Sequence, residues 1–243
     1  MKESVDFKDF WDKMARPVHA HSSEVWYDRY AQEILGFLSG SKSIVDAGCG
    51  SGEILLRVAP FFMKVCALDY SQSMLEKARE KLAAGGIFHV DLFCDNITNI
   101  GKHCDGPVDA IYSNGVIQYL SQPELDQFVA ECKKILQSNG KIILLNIPNI
   151  NNRILFMLGF YKHEKPVSFF RILKGLPGLW LTILRFKIKH RFQKYDDGIG
   201  NWFSIDQMKT VGAQHGFEVQ IYGASVVDYY YRFHAVLTIE DKV

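Results

Sequence analysis

The stretch VDAGCGSGE, residues 45–53, decides the fold of this chain. Three glycines alternate with other residues inside it: Gly48, Gly50 and Gly52. The apolar residues 43–45 before it suit a buried strand, and residues 54–58 after it suit the first turns of a helix. A strand, a glycine-rich turn and a helix N-terminus let backbone N–H groups approach a ligand closely, so the stretch predicts a ligand site. Glu53 stands where the dinucleotide-binding pattern G-x-G-x-x-G needs its third glycine, so that pattern is incomplete.

Length and composition limit the class of protein. A chain of 243 residues suits a single α/β domain, residues 1–243, with an embedded insertion. The formal net charge of +1 gives no global reason to expect nucleic-acid binding. Five cysteines without a C-x-x-C pair disfavour a disulfide framework or a zinc site, so we expect no metal and a reducing, cytoplasmic location. The charged start of the chain disfavours a signal peptide. The sequence contains no run of about 18 apolar residues, so we expect no membrane-spanning helix.

From residue 43 to residue 147 the chain alternates strand-like and helix-like stretches. Apolar runs predict further strands at residues 65–69, 87–93, 108–113 and 141–147. Ser71 is a predicted N-cap for a helix that ends at Gly85-Gly86, and a capping box that begins at Ser121 opens a helix running to about residue 138. Asn139-Gly140 is then predicted to turn the chain into the last of these strands.

Strands that alternate with helices imply right-handed crossovers and a doubly wound, mainly parallel sheet. In such a sheet, ligands bind beyond the carboxyl ends of the strands. Polar residues and glycines follow the predicted strands at these ends: the glycine triplet, Asp69, Asp95, Ser113 and Asn114. Their convergence predicts one ligand site at one edge of the sheet.

The segment from residue 149 to about residue 197 interrupts this alternation. The order resumes with a second capping box, Ser204 to Gln207, and a helix that ends near His215-Gly216. Residues 217–222 and 229–239 then read as strands. We therefore expect a helix and two closing strands after the insertion.

Two acids complete a resemblance: Asp46 precedes the glycine triplet, and Asp69 ends the second predicted strand. In this arrangement the chain resembles the class I S-adenosylmethionine-dependent methyltransferases of the small-molecule type, over about residues 30–147 and 202–239. The resemblance implies an α/β, Rossmann-like, doubly wound seven-stranded sheet with a C-terminal antiparallel hairpin and a helical insertion before the last two strands. It divides the chain into an N-terminal helical cap (1–40), a cofactor-binding core (41–148), a lid or interface insertion (149–200), and a closing helix and strands (201–243).

The resemblance also implies S-adenosyl-L-methionine as the cofactor and assigns residues to it. The glycine triplet and the backbone amide of Cys49 would lie beside its methionine portion, and Asp46 would bind its amino group. Asp69 would accept hydrogen bonds from both ribose hydroxyls, and Tyr70 would pack against adenine. The remaining cofactor residues follow the third and fourth strands: Asp95, Asn96 and Ile97 at the adenine edge, and Ser113 and Asn114 on the methyl-donor side.

The implied reaction is in-line displacement at the sulfonium methyl by oxygen, nitrogen or carbon, with oxygen preferred. Holding the nucleophile about 3 Å from the methyl does much of the work, and a general base helps a hydroxyl nucleophile. Tyr119 and His21 are the predicted catalytic residues, and His19 and His163 are alternatives. A packing or surface role competes with catalysis for each histidine. Neither N-P-P-Y nor D-P-P-Y follows the fourth strand, which disfavours the branches that methylate DNA or protein glutamine.

The insertion is where acceptor specificity is expected. Between residues 153 and 194, apolar residues are mixed with basic ones, and Glu164 is the one acid. Such a segment suits a lid over an apolar pocket, a peripheral contact with an anionic membrane surface, or a homodimer contact. The expected partner is a small-molecule, glycan or lipid-linked acceptor. A nicotinamide-dependent oxidoreductase and a catalytically silent cofactor-binding module are the alternative functions.

Overall fold

The computed structural model describes residues 24–158, 173–181, 184, 199–224 and 231–239. Within these ranges one sheet contains the strands β1 (Ser43–Ala47), β2 (Lys64–Asp69), β3 (Val90–Cys94), β4 (Val108–Asn114), β5 (Leu136–Pro148), β6 (Phe217–Gly223) and β7 (Arg232–Ile239). The helices are α1 (Glu24–Phe37), α2 (Leu55–Val58), α3 (Gln72–Ala84), α4 (Gln122–Ile135), α5 (Arg153–Met157) and α6 (Ile205–Gln214). Residues 173–181 are also helical. Short 3-10 helices occur at Ala59–Phe61, Ile97–Lys102, Ile117–Tyr119 and Ile150–Asn152.

The strand order is β3-β2-β1-β4-β5-β7-β6. β1 to β5 are parallel to one another, and β7 is antiparallel to both β5 and β6. The order reverses between β1 and β4, which makes the carboxyl ends of these two strands the switch point where ligands bind in doubly wound sheets. The predicted Rossmann-like sheet of seven strands with a C-terminal antiparallel hairpin is confirmed.

Helices cover both faces of the sheet. On one face, Phe128 of α4 and Met208 of α6 pack into a core that includes Val45. On the other face, Ile34 of α1 packs into a second core that includes Ile44. Because neighbouring strand residues point to opposite faces, β1 contributes to both cores and is buried throughout its centre. The central strands thus hold the glycine loop on a rigid base.

The three predicted helix starts are confirmed by their caps. The Ser71 hydroxyl accepts from the Met74 N–H of α3 at 3.3 Å. The Glu124 carboxylate accepts from the Ser121 N–H at 2.7 Å, in the capping box that opens α4. The Ser204 hydroxyl accepts from the Gln207 N–H of α6 at 3.0 Å. Each cap satisfies N–H groups that the first turn of a helix leaves without an intrahelical partner.

The predicted boundary between α4 and β5 was wrong. The helix ends at Ile135, and residues 136–140 belong to β5 as an irregular start. Leu136 pairs with Val108 and Lys141 with Ala110, so four residues of β5 lie opposite one residue of β4. Asn139-Gly140 therefore lies in a bulge within the strand. The third strand also begins later than predicted, at Val90.

One cysteine pair departs from the expectation of unlinked cysteines. Cys66 of β2 and Cys104, which follows the 3-10 helix Ile97–Lys102, are joined by a disulfide with their Cα atoms 6.0 Å apart. The other three cysteines are free: Cys49, Cys94 and Cys132. The pair is 38 residues apart in sequence and meets only because β2 and the turn after β3 are neighbours in space. Spacing alone does not reveal such a contact.

Several predictions concern residues outside the described ranges. These include His19 and His21, most of the N-terminal cap, His163, and most of the basic part of the insertion. In the described part of the cap, α1 packs on the sheet through Tyr30 and Ile34. Among the described residues, no helix is long and apolar enough to cross a membrane. The same residues contain no group of three potential metal ligands.

Candidate functional site

The glycine loop leaves the carboxyl end of β1 and is fastened to β2. The N–H groups of Gly48 and Cys49 both donate to the Leu68 carbonyl, at 2.8 and 3.0 Å. Gly48 has a φ of +94°, and a Cβ added there would lie 2.3 Å from Cγ2 of Val116. Gly52 has a φ of +80°, and its Cβ would lie 2.9 Å from the Cβ of Ala78 in α3. Both positions therefore require glycine for conformation and for space.

Gly50 differs from its two neighbours in the loop. Its φ is +54°, but a Cβ added there meets nothing within 4 Å. Its conformation favours glycine, while the space in front of it is open. An open position between two tightly packed glycines is where a ligand can approach the backbone closely.

Asp69 holds this open position in place from the end of β2. Its Oδ2 accepts from the Gly50 N–H at 2.8 Å, and its Oδ1 accepts from the Ser71 N–H at 3.0 Å. The carboxylate is buried. Each carboxylate oxygen has two lone pairs, so both can still accept from a diol while they hold the loop.

Asp46 lies at the floor of the site, near the end of β1. Its side chain is 3% exposed, and its Oδ2 accepts from the Tyr112 hydroxyl at 2.6 Å. Burial raises the pKa of Asp46 to about 7; the Tyr112 hydrogen bond lowers it and the charge of Asp69 raises it. Burial likewise raises the pKa of the Cys49 thiol, and Asp46 and Asp69 add to that rise. Cys49 is therefore a neutral thiol and no nucleophile.

Asp95 follows β3 and is tied to the Asp69 segment, because its N–H donates to the Asp69 carbonyl at 3.2 Å. Its carboxylate accepts from the Asn99 amide at 2.9 Å and lies 2.7 Å from His103 Nε2. Burial raises the pKa of Asp95, but the hydrogen bonds from Asn99, His103 and the Asn96 N–H outweigh it and hold the pKa below its usual range. Asn99 and His103 were missed in the sequence, although both lie within eight residues of Asp95.

The remaining predicted adenine-side residues lie in the segments that follow β2 and β3. The Asn96 side chain caps the 3-10 helix by accepting from the Thr98 N–H at 3.0 Å. Ile97 is buried, and Tyr70 is partly buried beside Cys94, whose thiol donates to the Tyr70 carbonyl at 3.6 Å. The structure thus brings the segments after β2 and β3 together.

The residues at the end of β4 divide into two roles. The Ser113 side chain is fully buried and donates to the Ala47 carbonyl at 2.7 Å, which joins β4 to β1. The Asn114 Oδ1 accepts from the Tyr30 hydroxyl at 2.5 Å and from the Asn146 amide at 2.9 Å. Asn114 therefore belongs to a polar cluster between α1, β4 and β5.

Of this polar cluster, sequence reasoning predicted Asn114 as a site residue, and it missed Asn146, Arg232 and His234. Asn146 donates through its backbone N–H to His234 Nδ1 at 3.0 Å. Nη1 of Arg232, at the start of β7, donates to Gln118 Oε1 at 2.9 Å and to the Asn146 carbonyl at 2.5 Å. One signal was visible in the sequence, because Asn146 interrupts the most apolar strand of the chain.

Tyr119 lies next to this cluster and is partly buried. Burial raises the pKa of Tyr119, although Gln118 and the charge of Arg232 lower it in part. The segment after the insertion closes over the same place, since the Asn201 N–H donates to the Gln118 carbonyl at 2.7 Å. The other predicted catalytic residue, His21, lies outside the described residues.

Comparison with known proteins agrees with this arrangement. Residues 44–140 match the family model described as a methyltransferase domain. Phosphoethanolamine N-methyltransferase 1 of Caenorhabditis elegans is 27% identical over 148 residues, which are 58% of this chain and 30% of that protein. The ubiquinone/menaquinone biosynthesis C-methyltransferase of Syntrophotalea carbinolica is 28% identical over 129 residues, which are 51% of each chain. The chain thus spans about half the length, or less, of these curated relatives.

A solved structure extends the likeness to the whole fold. Magnesium protoporphyrin IX methyltransferase from Synechocystis, with S-adenosylmethionine bound, has a TM-score of 0.63, and the match covers 99% of this chain and all of that one at 11% identity. The strand order and the glycine-rich loop at its switch point define a class I methyltransferase fold. Residues 44–140 are similar to the methyltransferase-domain family, and the fold is that of the class I S-adenosylmethionine-dependent methyltransferases.

Proposed function

We propose that this protein transfers the methyl group of S-adenosylmethionine to a small-molecule acceptor with an apolar, lipid-like or glycan portion. One observation carries the donor half of the proposal. The Asp69 carboxylate holds the open glycine loop at Gly50 with a 2.8 Å hydrogen bond, at the switch point of the sheet. This combination provides both a close backbone approach and an acceptor for a diol.

The residues present fit the cofactor. The buried Asp46 has a pKa of about 7 and is only partly ionised at neutral pH, so it becomes stably ionised when a positive group, such as the cofactor's amino group, lies beside it. Gly48, Cys49, Gly50 and Gly52 would line the methionine portion through their backbone. Asp69 would bind the ribose. The residues proposed around adenine and on the donor side are Tyr70, Asp95, Asn96, Ile97, Ser113 and Asn114.

The chemistry that the cofactor supplies is a methyl group on a positively charged sulfur, which is already a good leaving group. The protein's part is to hold the acceptor atom in line with that methyl and to exclude water. Tyr119 keeps its proton at neutral pH because burial raises its pKa, so we assign it to positioning the acceptor through a hydrogen bond. His21 remains the proposed base for a hydroxyl acceptor.

Oxygen is the proposed methylated atom, and nitrogen is the alternative because the Caenorhabditis relative is named as an N-methyltransferase. An apolar acceptor is supported by the described parts of the insertion and its approach. Large apolar side chains are exposed there: Ile150, Ile154, Leu173, Leu176, Trp180 and Leu181. Such a surface suits a lid or entrance for an apolar substrate, with membrane contact as the alternative.

Calorimetric titration with S-adenosylmethionine, S-adenosylhomocysteine and NAD tests the proposal. We expect both sulfur compounds to bind and NAD to give no heat, and we expect Asp69→Ala to weaken S-adenosylhomocysteine binding at least tenfold. Binding of NAD alone would support the oxidoreductase alternative. If the donor binds but no S-adenosylhomocysteine forms with a metabolite extract, the catalytically silent alternative is favoured.

A further inference from the structure

Arg232 is a partly buried cation at the carboxyl edge of the sheet. It pairs in register with Pro148, the last residue of β5, so it lies at the edge where the glycine loop also lies. Its guanidinium also lies 5.1 Å from the centre of the Tyr231 ring. Among the described residues, no carboxylate lies within ion-pair distance of it. Arg57, by contrast, pairs with both Glu24 and Asp28.

The hydrogen bonds of Arg232 leave most of its donors available. Nη1 donates to two neutral oxygens, of Gln118 and of the Asn146 backbone. A guanidinium has five N–H donors in a fixed plane, and neutral acceptors on Nη1 orient that plane without neutralising its charge. A partly desolvated, oriented guanidinium is the group that binds carboxylate or phosphate in bidentate fashion.

A second, independent observation marks the same place. Asn146 has a φ of +57°, in the left-handed region that residues other than glycine avoid. Its side chain is 8% exposed, and its Oδ1 is buried without a hydrogen-bond partner among the described residues. A strained backbone and an unsatisfied amide oxygen both oppose folding, and such features concentrate at ligand sites.

Arg232, Gln118 and Asn146 lie next to the methyl-donor side of the site and are distinct from the residues assigned to the donor. Val116, which fills the space in front of Gly48, is two residues before Gln118. Asn114 and Asn146 are hydrogen-bonded to each other at the ends of β4 and β5. An acceptor bound here would reach the donor from the β4–β5 side, opposite the ribose-binding Asp69 on β2.

We propose that Arg232, Gln118 and Asn146 form an acceptor-binding subsite that takes an acceptor bearing a carboxylate or phosphate group. Arg232 binds the oxyanion, Gln118 fixes the guanidinium, and the Asn146 amide oxygen accepts from an N–H or O–H of the acceptor. Tyr231 packs with Phe156 and Trp202, with ring centres 4.7 and 6.0 Å away, and forms an apolar aromatic wall beside the cation. The inference rests on the proposed function for its link to methyl transfer, but the oxyanion site can be tested by itself.

The probes are benzoate, its neutral analogue benzamide, and inorganic phosphate, added to the full-length protein. Saturation-transfer NMR follows the two aromatic probes, and the ³¹P line width follows phosphate. We expect benzoate or phosphate to bind at millimolar concentration and benzamide to bind at least tenfold more weakly. A preference for benzoate indicates a carboxylate acceptor, and a preference for phosphate indicates a phosphorylated acceptor or a lipid headgroup.

Three variants test whether Arg232 is the residue that binds the anion. Arg232→Gln should weaken anion binding about tenfold or more, the loss expected for a charge-assisted hydrogen-bonded pair. Arg232→Lys keeps the charge without the planar fork and should lose less. Arg79→Gln, on the exposed face of α3, is the matched control and should bind as the wild type does. If Arg232→Gln does not fold, Arg232→Lys and Gln118→Ala carry the comparison.

Equal anion binding by the wild type and the Arg232 variants would overturn the inference, as would the lack of any anion binding by the wild type. Calorimetry with S-adenosylhomocysteine on the same samples separates the two proposals. Anion binding without binding of S-adenosylhomocysteine would overturn the proposed function and leave the oxyanion site standing. Binding of S-adenosylhomocysteine that is unchanged in Arg232→Gln is the expected result, since Arg232 lies outside the residues assigned to the donor.

Discussion

The individual residues of the site differ most in how their charges are balanced. Asp95 is partly exposed and is held ionised by three hydrogen-bond donors. The Asp46 carboxylate accepts from the Tyr112 hydroxyl, and burial raises its pKa to about 7. The protein therefore keeps Asp95 ionised at neutral pH and leaves Asp46 only partly ionised until a cation lies beside it. This difference predicts which carboxylate responds to the cofactor and to pH.

The pH dependence of stability should reveal Asp46. Its pKa in the folded protein is about 7, against about 3.9 in the unfolded chain. The folded state therefore binds more protons between these values, so the free energy of unfolding should fall as pH rises from about 4 to about 7 and then level off. Urea unfolding of wild type and Asp46→Asn at pH 5 and pH 8 measures this. The variant should lose less stability than the wild type over this range, and parallel losses would contradict the raised pKa.

Substitutions at two glycines of the loop should affect stability and cofactor binding differently. Gly48→Ala places a Cβ 2.3 Å from Val116, so it should destabilise the protein by about 2 kcal/mol or more. Gly50→Ala meets no atom within 4 Å, so it should cost about 1 kcal/mol from its backbone conformation alone. For a given loss of stability, Gly50→Ala should nevertheless lower the affinity for S-adenosylhomocysteine more than Gly48→Ala does. Chemical denaturation and calorimetry on both variants measure the two effects. Wild-type affinity in Gly50→Ala would place the ligand elsewhere.

At the scale of elements, local signals predicted starts better than ends. The caps at Ser71, Ser121 and Ser204 depend on side chains within three residues, so the sequence contains the whole cause. The start of β5 depends on its bulged pairing with β4, which no local pattern records. The Arg232 cluster likewise joins groups that are 114 and 86 residues apart in sequence. The sequence therefore identified candidate site residues that directly follow a predicted strand. It missed the Arg232 cluster, because its members come from segments that are distant in sequence.

The cap of α6 gives a test at this scale. Ser204→Ala removes the acceptor for the Gln207 N–H, so it should lower the free energy of unfolding by about 1 kcal/mol. Thr210→Ala in the same helix is the control. Thr210 is exposed and donates only within its own helix, to the Asp206 carbonyl, so its replacement should change stability little. Since α6 packs away from the glycine loop, neither variant should alter affinity for S-adenosylhomocysteine. An equal loss in both variants would count against the cap.

The whole molecule places its two proposed binding functions on neighbouring parts of one edge. The residues proposed for the donor lie at the ends of β1 to β4, and those proposed for the acceptor lie after β4, near the end of β5 and at the start of β7. The parallel strands dictate this edge, so the order of strands alone could bring the polar strand ends together. Their assignment to the donor rests on the resemblance to the methyltransferase family. The acceptor half depends on how the antiparallel β7 returns beside β5, which brings Arg232 to the same edge. The exposed helix at residues 173–181 lies in the insertion between these two strands in sequence.

This helix provides the last test, of the membrane-surface alternative for an apolar acceptor. Trp180 is 63% exposed, and Leu173, Leu176 and Leu181 are exposed in the same helix. Between residues 153 and 194 of the insertion, Glu164 is the one acid among the basic residues. Apolar burial combined with attraction to anionic lipid should make the protein sediment with phosphatidylglycerol vesicles at low salt and less at high salt. Trp180→Ser should reduce the sedimented fraction severalfold.

Phe88→Ser is the matched control, because Phe88 is 81% exposed but precedes β3, the strand at the edge of the sheet opposite β6. It should sediment as the wild type does, and both variants should keep wild-type affinity for S-adenosylhomocysteine. Sedimentation that is absent at low salt, or equally reduced in both variants, would exclude a membrane contact through this helix. The exposed side chains would then be assigned to the proposed lid. Its removal should raise the KM for the acceptor and leave cofactor affinity unchanged, since the residues proposed to bind the donor lie at the ends of β1 to β4.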